Sequence, residues 1–372
     1  MRITYVGSPP LFTRGASAIH ILKMCNAYSN IGHDVTLLIP PYDREKDIYE
    51  YYNVPKNFGI KCIISPRNIL RQIIHGITCS IYVGFNRHRA DLYITRNIIF
   101  AFISTILLRL PTIYDAHHPA VNQFAVVMLK LFLGSKYLIR LSTNSAGLAD
   151  LYKTYGVSED KIVVAHNGVD LDNLKYLSKS EARKITNLPP DKKVVIYTGN
   201  IYKGRGIETL MDAACLLPYS LFVIVGGEQQ DIDRYKKILE SRKMENFRFE
   251  GFVNQESVFN YLLSADVLVM PYTMNMTIRS GTVASEFTSP IKLFEYLASG
   301  RPIVASSIPA SMEILNENNS ILVRPGDAAS LAEGIRYVLD NRDKSNKLSK
   351  NALEDVKAYT WDERAKKILH NL

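Results

Sequence analysis

Lys292 and Glu295 stand three positions apart in the stretch Ser289-Pro290-Ile291-Lys292-Leu293-Phe294-Glu295-Tyr296-Leu297-Ala298-Ser299-Gly300. That spacing sets a cation and a carboxylate on one face of a helix. Ser289-Pro290 opens the helix and Gly300 closes it. The free N–H groups and dipole of a helix N-terminus favour anions. Lys292 adds charge for a phosphate, and Glu295 one turn later can accept from a ribose diol. Together they describe a socket for a nucleoside diphosphate. A surface helix with an ordinary Lys–Glu pair has the same spacing, so other residues must decide.

Three more segments point the same way. Val6-Gly7-Ser8 ends an expected strand, and Arg14-Gly15-Ala16-Ser17 opens the next helix. Gly15 and Ala16 carry little side chain, so their N–H groups could approach a diphosphate; many strand–loop–helix turns carry a glycine for geometry alone. The loop Tyr197-Thr198-Gly199-Asn200-Ile201-Tyr202-Lys203-Gly204-Arg205-Gly206 holds two cations just before an expected helix over 207–216. Arg205 could fork two phosphate oxygens, or be a solvated loop arginine. Tyr114-Asp115-Ala116-His117-His118 ends a buried strand at the carboxyl edge of a sheet, where an imidazole can serve a sugar hydroxyl or a departing phosphate.

Elements must hold these residues in place. Short apolar runs alternate with amphipathic stretches, which predicts parallel α/β sheets with helices on both faces. Strands are expected over 2–6, 35–39, 60–64, 92–95, 112–114, 137–142 and 162–164, with a helix over 18–31. The pattern breaks near Asn167-Gly168-Val169-Asp170. A second series follows over 194–197, 221–225, 247–249, 267–270, 303–305 and 321–323, then helix from Ala328 onward. The reading is an N-terminal Rossmann-like domain over 1–172, a linker with a short helix over 173–193, a nucleotide-binding Rossmann-like domain over 194–355 and a C-terminal helix over 356–372. Two such halves facing each other make a cleft, with ligands at the strands' carboxyl ends.

Composition narrows the class. The chain of 372 residues is 47% hydrophobic, enough for two cores, and its net charge is +9. The excess sits mostly in the first half, which suits an anionic ligand or surface. Cys25, Cys62, Cys79 and Cys215 are scattered without a CxxC pair, which argues against zinc and disulfides and fits a reducing compartment. The N-terminus enters a strand at once, and the apolar run 98–108 is too short to span a bilayer. A cytoplasmic protein, soluble or peripheral on the cytoplasmic face of a membrane, is expected. Nucleic-acid binding lacks a helix-turn-helix, zinc spacing or aromatic-basic sheet motif.

With these residues in view, the chain resembles the family 4 (group 1) glycosyltransferases, of GT-B fold. The segments that carry the resemblance are Gly15-Ala16-Ser17-Ala18-Ile19-His20, Asp115-Ala116-His117, His166-Asn167-Gly168-Val169-Asp170, and the Gly199–Gly206 loop. Val225-Gly226-Gly227, Gly251-Phe252-Val253 and Ser289–Gly300 with Arg301-Pro302-Ile303-Val304-Ala305 complete them, in order over nearly the whole length. The resemblance implies that Gly15 and Ala16 lie by the donor diphosphate and that His117 is the histidine near the donor sugar and reacting centre. Arg205 stands where the family usually has lysine, on the diphosphate, with Lys292 as second cation and Glu295 on the ribose. It also implies that Phe252 and Val253 meet the base beside Gly226, and that the C-terminal helix returns to the N-terminal domain. Many members carry two glutamates eight apart; Phe287 stands at the earlier place here, with Glu286 one residue further back, so sugar contacts do not transfer.

The implied reaction is retaining transfer of a hexose-type unit from a UDP- or GDP-sugar to a glycan or lipid-linked acceptor, in cell-surface polysaccharide or glycoconjugate synthesis. Two cations, a helix N-terminus and loop N–H groups can stabilise the leaving diphosphate without a metal or other cofactor. Asp231-Ile232-Asp233 and Asp170-Leu171-Asp172 match an Asp-x-Asp metal pattern but read as caps or turn residues. The rivals are a nucleotide-sugar epimerase of the same fold and a non-catalytic glycan-binding subunit. Residues 67–89 interleave Arg67, Arg71, Arg87 and Arg89 with Ile69, Leu70, Ile73, Ile74 and Ile77. Such a stretch fits an anionic membrane surface. An amphipathic helix covering the sheet with a basic outer face fits it at least as well.

Overall fold

The computed structural model describes residues 1–13, 15–66, 70–120, 122–277 and 283–372. Its strands form two parallel sheets. The first contains β1 (Arg2–Val6), β2 (Asp34–Ile39), β3 (Gly59–Cys62), β4 (Leu92–Thr95), β5 (Thr112–Ala116), β6 (Leu138–Thr143) and β7 (Ile162–Val164), in the order β3-β2-β1-β4-β5-β6-β7. The second contains β8 (Lys193–Thr198), β9 (Ser220–Val225), β10 (Phe247–Gly251), β11 (Val267–Met270), β12 (Ile303–Ser306) and β13 (Ile321–Val323), in the order β10-β9-β8-β11-β12-β13. Near-continuous apolar runs such as Ser220-Leu221-Phe222-Val223-Ile224-Val225 are buried at every position, as strands covered on both faces must be.

Each order reverses once, between β1 and β4 and between β8 and β11. At such a reversal the two flanking loops diverge and leave a crevice at the carboxyl ends of the strands. The residues just beyond β1, β4, β8 and β11 border those crevices.

The chain divides into one compact unit of Met1–Gly168 with Trp361–Leu372 and another of Val169–Thr360. The helix Trp361–Leu369 lies against the helix Ala16–Asn30, where the Asn30 amide donates to Asp362 at 3.3 Å. Residues 173–193 fall in the second unit. There the helix Lys179–Ile185, started by a Ser178–Glu181 capping box, is pinned by Arg183 Nη2 to Asp266 Oδ2 at 2.6 Å.

Most element boundaries sit within a residue or two of those read from the sequence. β5 is the informative exception: it runs on through Asp115 and Ala116, both buried, where the pattern ends the strand at Tyr114. A buried carboxylate is costly unless paired, and a partner from far along the chain supplies that pairing. The four cysteines are free thiols. Among the described residues, no helix is long and apolar enough to cross a membrane.

Candidate functional site

In the second unit, Pro290 starts the helix Ile291–Ala298, whose buried residues Leu293, Phe294, Tyr296, Leu297 and Ala298 bind it to the sheet. Tyr296 fixes its register on the crevice: its hydroxyl accepts from the Thr198 N–H at 2.8 Å. Lys292, in the first turn, is thereby aimed at the end of β8. Its Nζ donates to the Thr198 carbonyl at 2.6 Å and lies 3.7 Å from the centre of the Tyr197 ring. Gly199 permits this approach, because a Cβ there would stand 3.2 Å from Nζ on a backbone at φ +113°.

Arg205 meets Lys292 across one aromatic plate. The Arg205 guanidinium carbon and Lys292 Nζ each lie 5.0 Å from the centre of the Tyr272 ring. Arg205 Nη1 rests on Met276 Sδ at 3.2 Å, and its enclosed Nε has no hydrogen-bond partner. Cation–aromatic contact compensates part of the desolvation, and among the described residues no carboxylate closes on either cation as a salt bridge. Burial, then the Arg205 charge, pushes the Lys292 ammonium well below the usual lysine range, with Glu295 opposing. Two positive groups at one ring, with no salt bridge to either among the described residues, have the chemistry to take an anion of high charge density.

Of the remaining predicted residues in this unit, Gly199 and Gly226 are tied to the loops beside them. Gly199 N–H donates to the Val225 carbonyl at 2.7 Å, and Gly226 N–H donates to the Gly251 carbonyl at 2.6 Å. These bonds lace the loops after β8, β9 and β10 side by side. Phe252, beyond β10, is 51% exposed, and Val253 is half-buried against the core. Ser289 is nearly buried and Glu295 half-buried, one turn beyond Lys292. Asp231 and Asp233 lie two apart on the helix Gln229–Ser241 and point apart, Asp231 toward Arg234 and Asp233 toward the Gln229 amide.

The first unit builds its site around Asp115. Asp115 Oδ1 accepts from Arg364 Nη2 at 2.7 Å, with both side chains almost fully buried. Asp115 Oδ2 accepts from His117 Nε2 at 3.1 Å. Asn144 Nδ2 approaches His117 Nδ1 at 3.4 Å, so the ring carries its proton on Nε2 and both nitrogens face protein groups. His20 packs edge-on against His117, with ring centres 4.2 Å apart. Desolvation first, then Arg96, holds the His117 imidazole down at about 3, with Asp115 opposing. His117 is neutral across the physiological range. His118, its neighbour, is exposed.

Gly15 caps the helix Ala16–Asn30 with no side-chain hydrogen bond, and His20 ties that helix to His117 one turn later. Arg14 lies outside the described residues. Asp115, His117 and His20 bring ligand atoms within 4.8 Å of one another. The carboxylate is already engaged by Arg364, however, and the guanidiniums of Arg364 and Arg96 set a positive field that opposes a cation there. Beside this cluster a cavity of about 530 Å³ runs past Gly7, Ser8, Arg96, Asn97, His117 and Phe124.

Of the basic stretch 67–89, Arg67 and Ile69 lie outside the described residues. Arg71 turns inward, its Nη2 donating to the Ser8 carbonyl at 2.8 Å. The outer face of the helix Arg71–Phe85 is apolar rather than basic, exposing Ile73, Ile77, Ile81 and Phe85. The helix Gln123–Leu133 likewise exposes Phe124, Val127 and Leu131.

Comparison with known proteins fits this geometry. Residues 178–355 match the family described as glycosyl transferases group 1, and residues 17–173 match glycosyltransferase family 4. The chain belongs to the family 4, group 1 glycosyltransferases. An uncharacterized glycosyltransferase of Methanocaldococcus jannaschii is 24% identical over 96% of this chain and 93% of its own. Among solved structures, the sucrose-phosphate synthase of Thermosynechococcus elongatus superposes with a TM-score of 0.79 at 18% identity, over 99% of this chain and 97% of that one. Anabaena HepE, crystallised with UDP, gives 0.76 at 16% identity, over 99% and 98% of the two chains. The fold of this glycosyltransferase is GT-B. Sequence reasoning missed Arg364, Asn144, His20 and the two tyrosine plates. His20 left a trace as the end of the Gly15–His20 segment, and the tyrosines did too, Tyr197 near the end of β8 and Tyr272 just beyond β11.

Proposed function

We propose that the protein is a retaining glycosyltransferase that moves a hexose-type unit from a UDP- or GDP-sugar to a glycan or lipid-linked acceptor in cell-surface glycoconjugate synthesis. The observation that carries this reading is the Lys292–Arg205 pair, two cations at one tyrosine ring with no salt bridge to either among the described residues. A diphosphate supplies the missing negative charge. As the glycosyl bond breaks, charge accumulates on that leaving group, so donors already aimed at it stabilise the transition state more than the ground state. Glu295 accepts from the ribose, Phe252 and Val253 meet the base, and Gly199, Gly226 and Ser289 border the diphosphate. Gly15 and Ala16 offer backbone N–H groups to the same leaving group. His117, neutral and oriented by Asp115, gives up the long Asn144 contact for a sugar hydroxyl. The acceptor hydroxyl attacks on the face the diphosphate leaves, which retains configuration at the anomeric carbon.

Turnover of UDP- and GDP-sugars tests the reading. Lys292→Ala and Arg205→Ala should each abolish measurable transfer; wild-type rates in both variants would remove the proposal. An altered sugar formed from donor alone would show an epimerase instead. Nucleotide binding without any turnover would show a glycan-binding subunit.

The exposed apolar faces of the helices Arg71–Phe85 and Gln123–Leu133 support a lipid-linked acceptor reached at a membrane surface. Flotation with anionic liposomes checks this. Ile81→Ser with Phe85→Ser should leave the protein at the bottom of the gradient, and equal recovery of variant and wild type would refute it.

A further inference from the structure

The helix Trp361–Leu369 reaches the Asp115 cluster at two points. Arg364 Nη2 donates to Asp115 Oδ1 at 2.7 Å, and the Trp361 ring packs edge-on against His20, with ring centres 5.3 Å apart. His20 in turn packs edge-on against His117. One helix therefore supports the His117 imidazole twice, through a carboxylate and through a ring. The helix is itself fixed at its far end, where Arg140 Nη1 donates to the Ile368 carbonyl at 2.5 Å and to the His370 carbonyl at 3.0 Å. As a device for stability alone, the Arg364–Asp115 pair is a poor one. Its side chains are 1% and 2% exposed, yet Nε and Nη1 of Arg364 find no hydrogen-bond partner among the described residues. A guanidinium buried for one hydrogen bond recovers little of its desolvation, and a well-packed apolar pair would serve the fold as well or better. What the pair does supply is direction.

A carboxylate can turn about its bond to the β-carbon unless one oxygen is held. With Oδ1 held by Arg364, Oδ2 faces His117 Nε2 at 3.1 Å. Burial opposes ionisation of Asp115, but His117 and then Arg364 outweigh it and hold the carboxyl well below its usual range. An ionised carboxylate only accepts, so it keeps the imidazole proton on Nε2 and leaves Nδ1 with a lone pair. Nδ1 has only the long contact to the Asn144 amide, at 3.4 Å, and His117 lines the cavity of this unit. We propose that Arg364 is a positioning residue of the transfer reaction: held on Asp115 Oδ1, it sets the tautomer and angle of His117, so that Nδ1 accepts from a hydroxyl of the donor sugar. The proposal rests on the transferase reading and adds to it a residue that acts through Asp115 without touching a substrate. The last helix of the chain is then part of what aims the His117 ring.

Nitrogen NMR of the histidine rings, read beside turnover of UDP- and GDP-sugars by the full chain, tests the proposal. In the wild type, His117 should be neutral with its proton on Nε2; a proton on Nδ1 would overturn the proposal without any variant. Arg364→Leu should bring the Nδ1-protonated form into the population. Its kcat should fall by roughly ten- to a hundred-fold, the scale of a misplaced reacting group, with the affinity for UDP unchanged. Arg364→Lys returns a charged donor to Oδ1, so it should recover the Nε2 tautomer and most of kcat. Because Arg364→Leu strands a buried carboxylate, the double variant Arg364→Leu with Asp115→Asn guards against a folding defect. Its melting temperature should recover while its kcat stays low, an outcome that a purely structural pair would not produce. Wild-type kcat in the double variant, wild-type ring nitrogens in Arg364→Leu, or an Arg364→Lys protein no better than Arg364→Leu would overturn the proposal. Failure of the transferase reading would show in the wild type instead, as no binding of UDP or GDP.

Discussion

The two units place charge near the carboxyl edges of their sheets in opposite ways. In the first, Asp115 is enclosed with its counter-ion: Arg364 lies 2.7 Å away, and both side chains are almost fully buried. In the second, Lys292 and Arg205 both lie 5.0 Å from the centre of the Tyr272 ring, with no salt bridge to either among the described residues. One cluster is complete in the folded chain, and the other, on the proposed function, is completed by the donor it binds. The lesson is that a charged cluster at a crevice can be architecture or receptor, and the presence of an internal partner decides which.

Substitutions should separate the two kinds, beginning with the larger effect. Arg364→Leu strands a buried carboxylate, so it should cost the first unit about 3–5 kcal/mol in chemical denaturation. Adding Asp115→Asn should recover part of the loss. Lys292→Met removes a buried charge that closes no salt bridge among the described residues, so its melting temperature should hold or rise. Its affinity for UDP should nevertheless fall by roughly 10–100-fold, the scale of a hydrogen bond to a charged group. A Lys292→Met protein as destabilised as Arg364→Leu would erase the distinction.

The smallest effect is in proton uptake. The Lys292 pKa is depressed in the free protein by burial and by Arg205, and a bound diphosphate raises it again. Binding of a nucleotide sugar should therefore draw up to one proton onto Lys292. Affinity is full below the depressed value and is lost as pH rises from there toward the bound value. Calorimetry in buffers of different ionisation enthalpy reads this directly. The matching sign for the fold is that a depressed lysine favours the folded state less as pH falls below the ordinary value. Binding heats that do not depend on the buffer would place Lys292 as already charged, and the second site would then be less buried than its geometry implies.

Local patterning carried much of this molecule. Period and apolar runs are properties of neighbouring residues, so the strands and the two-series organisation follow from the chain read in order. So does the one-turn spacing of Lys292 and Glu295. The site segments after β8 and before the helix Ile291–Ala298 were legible for the same reason: a glycine loop or a Pro-led helix start is written in a few consecutive positions. β5 was read short because a carboxylate at position 115 looks like the end of a buried strand. Nothing nearby in sequence announces that its partner is Arg364.

What the amino-acid order determined, then, is the set of elements, their parallel α/β character and the residue types that reach each crevice. Tertiary structure alone decided which charges are spent and which are open. It closed Arg364 onto Asp115 across 249 positions, turned both nitrogens of His117 to protein, and put Lys292 and Arg205 on one ring. The physical reason is that the cost of a buried charge depends on what lies within a few ångströms of it, and those neighbours come from chain segments that no local pattern connects.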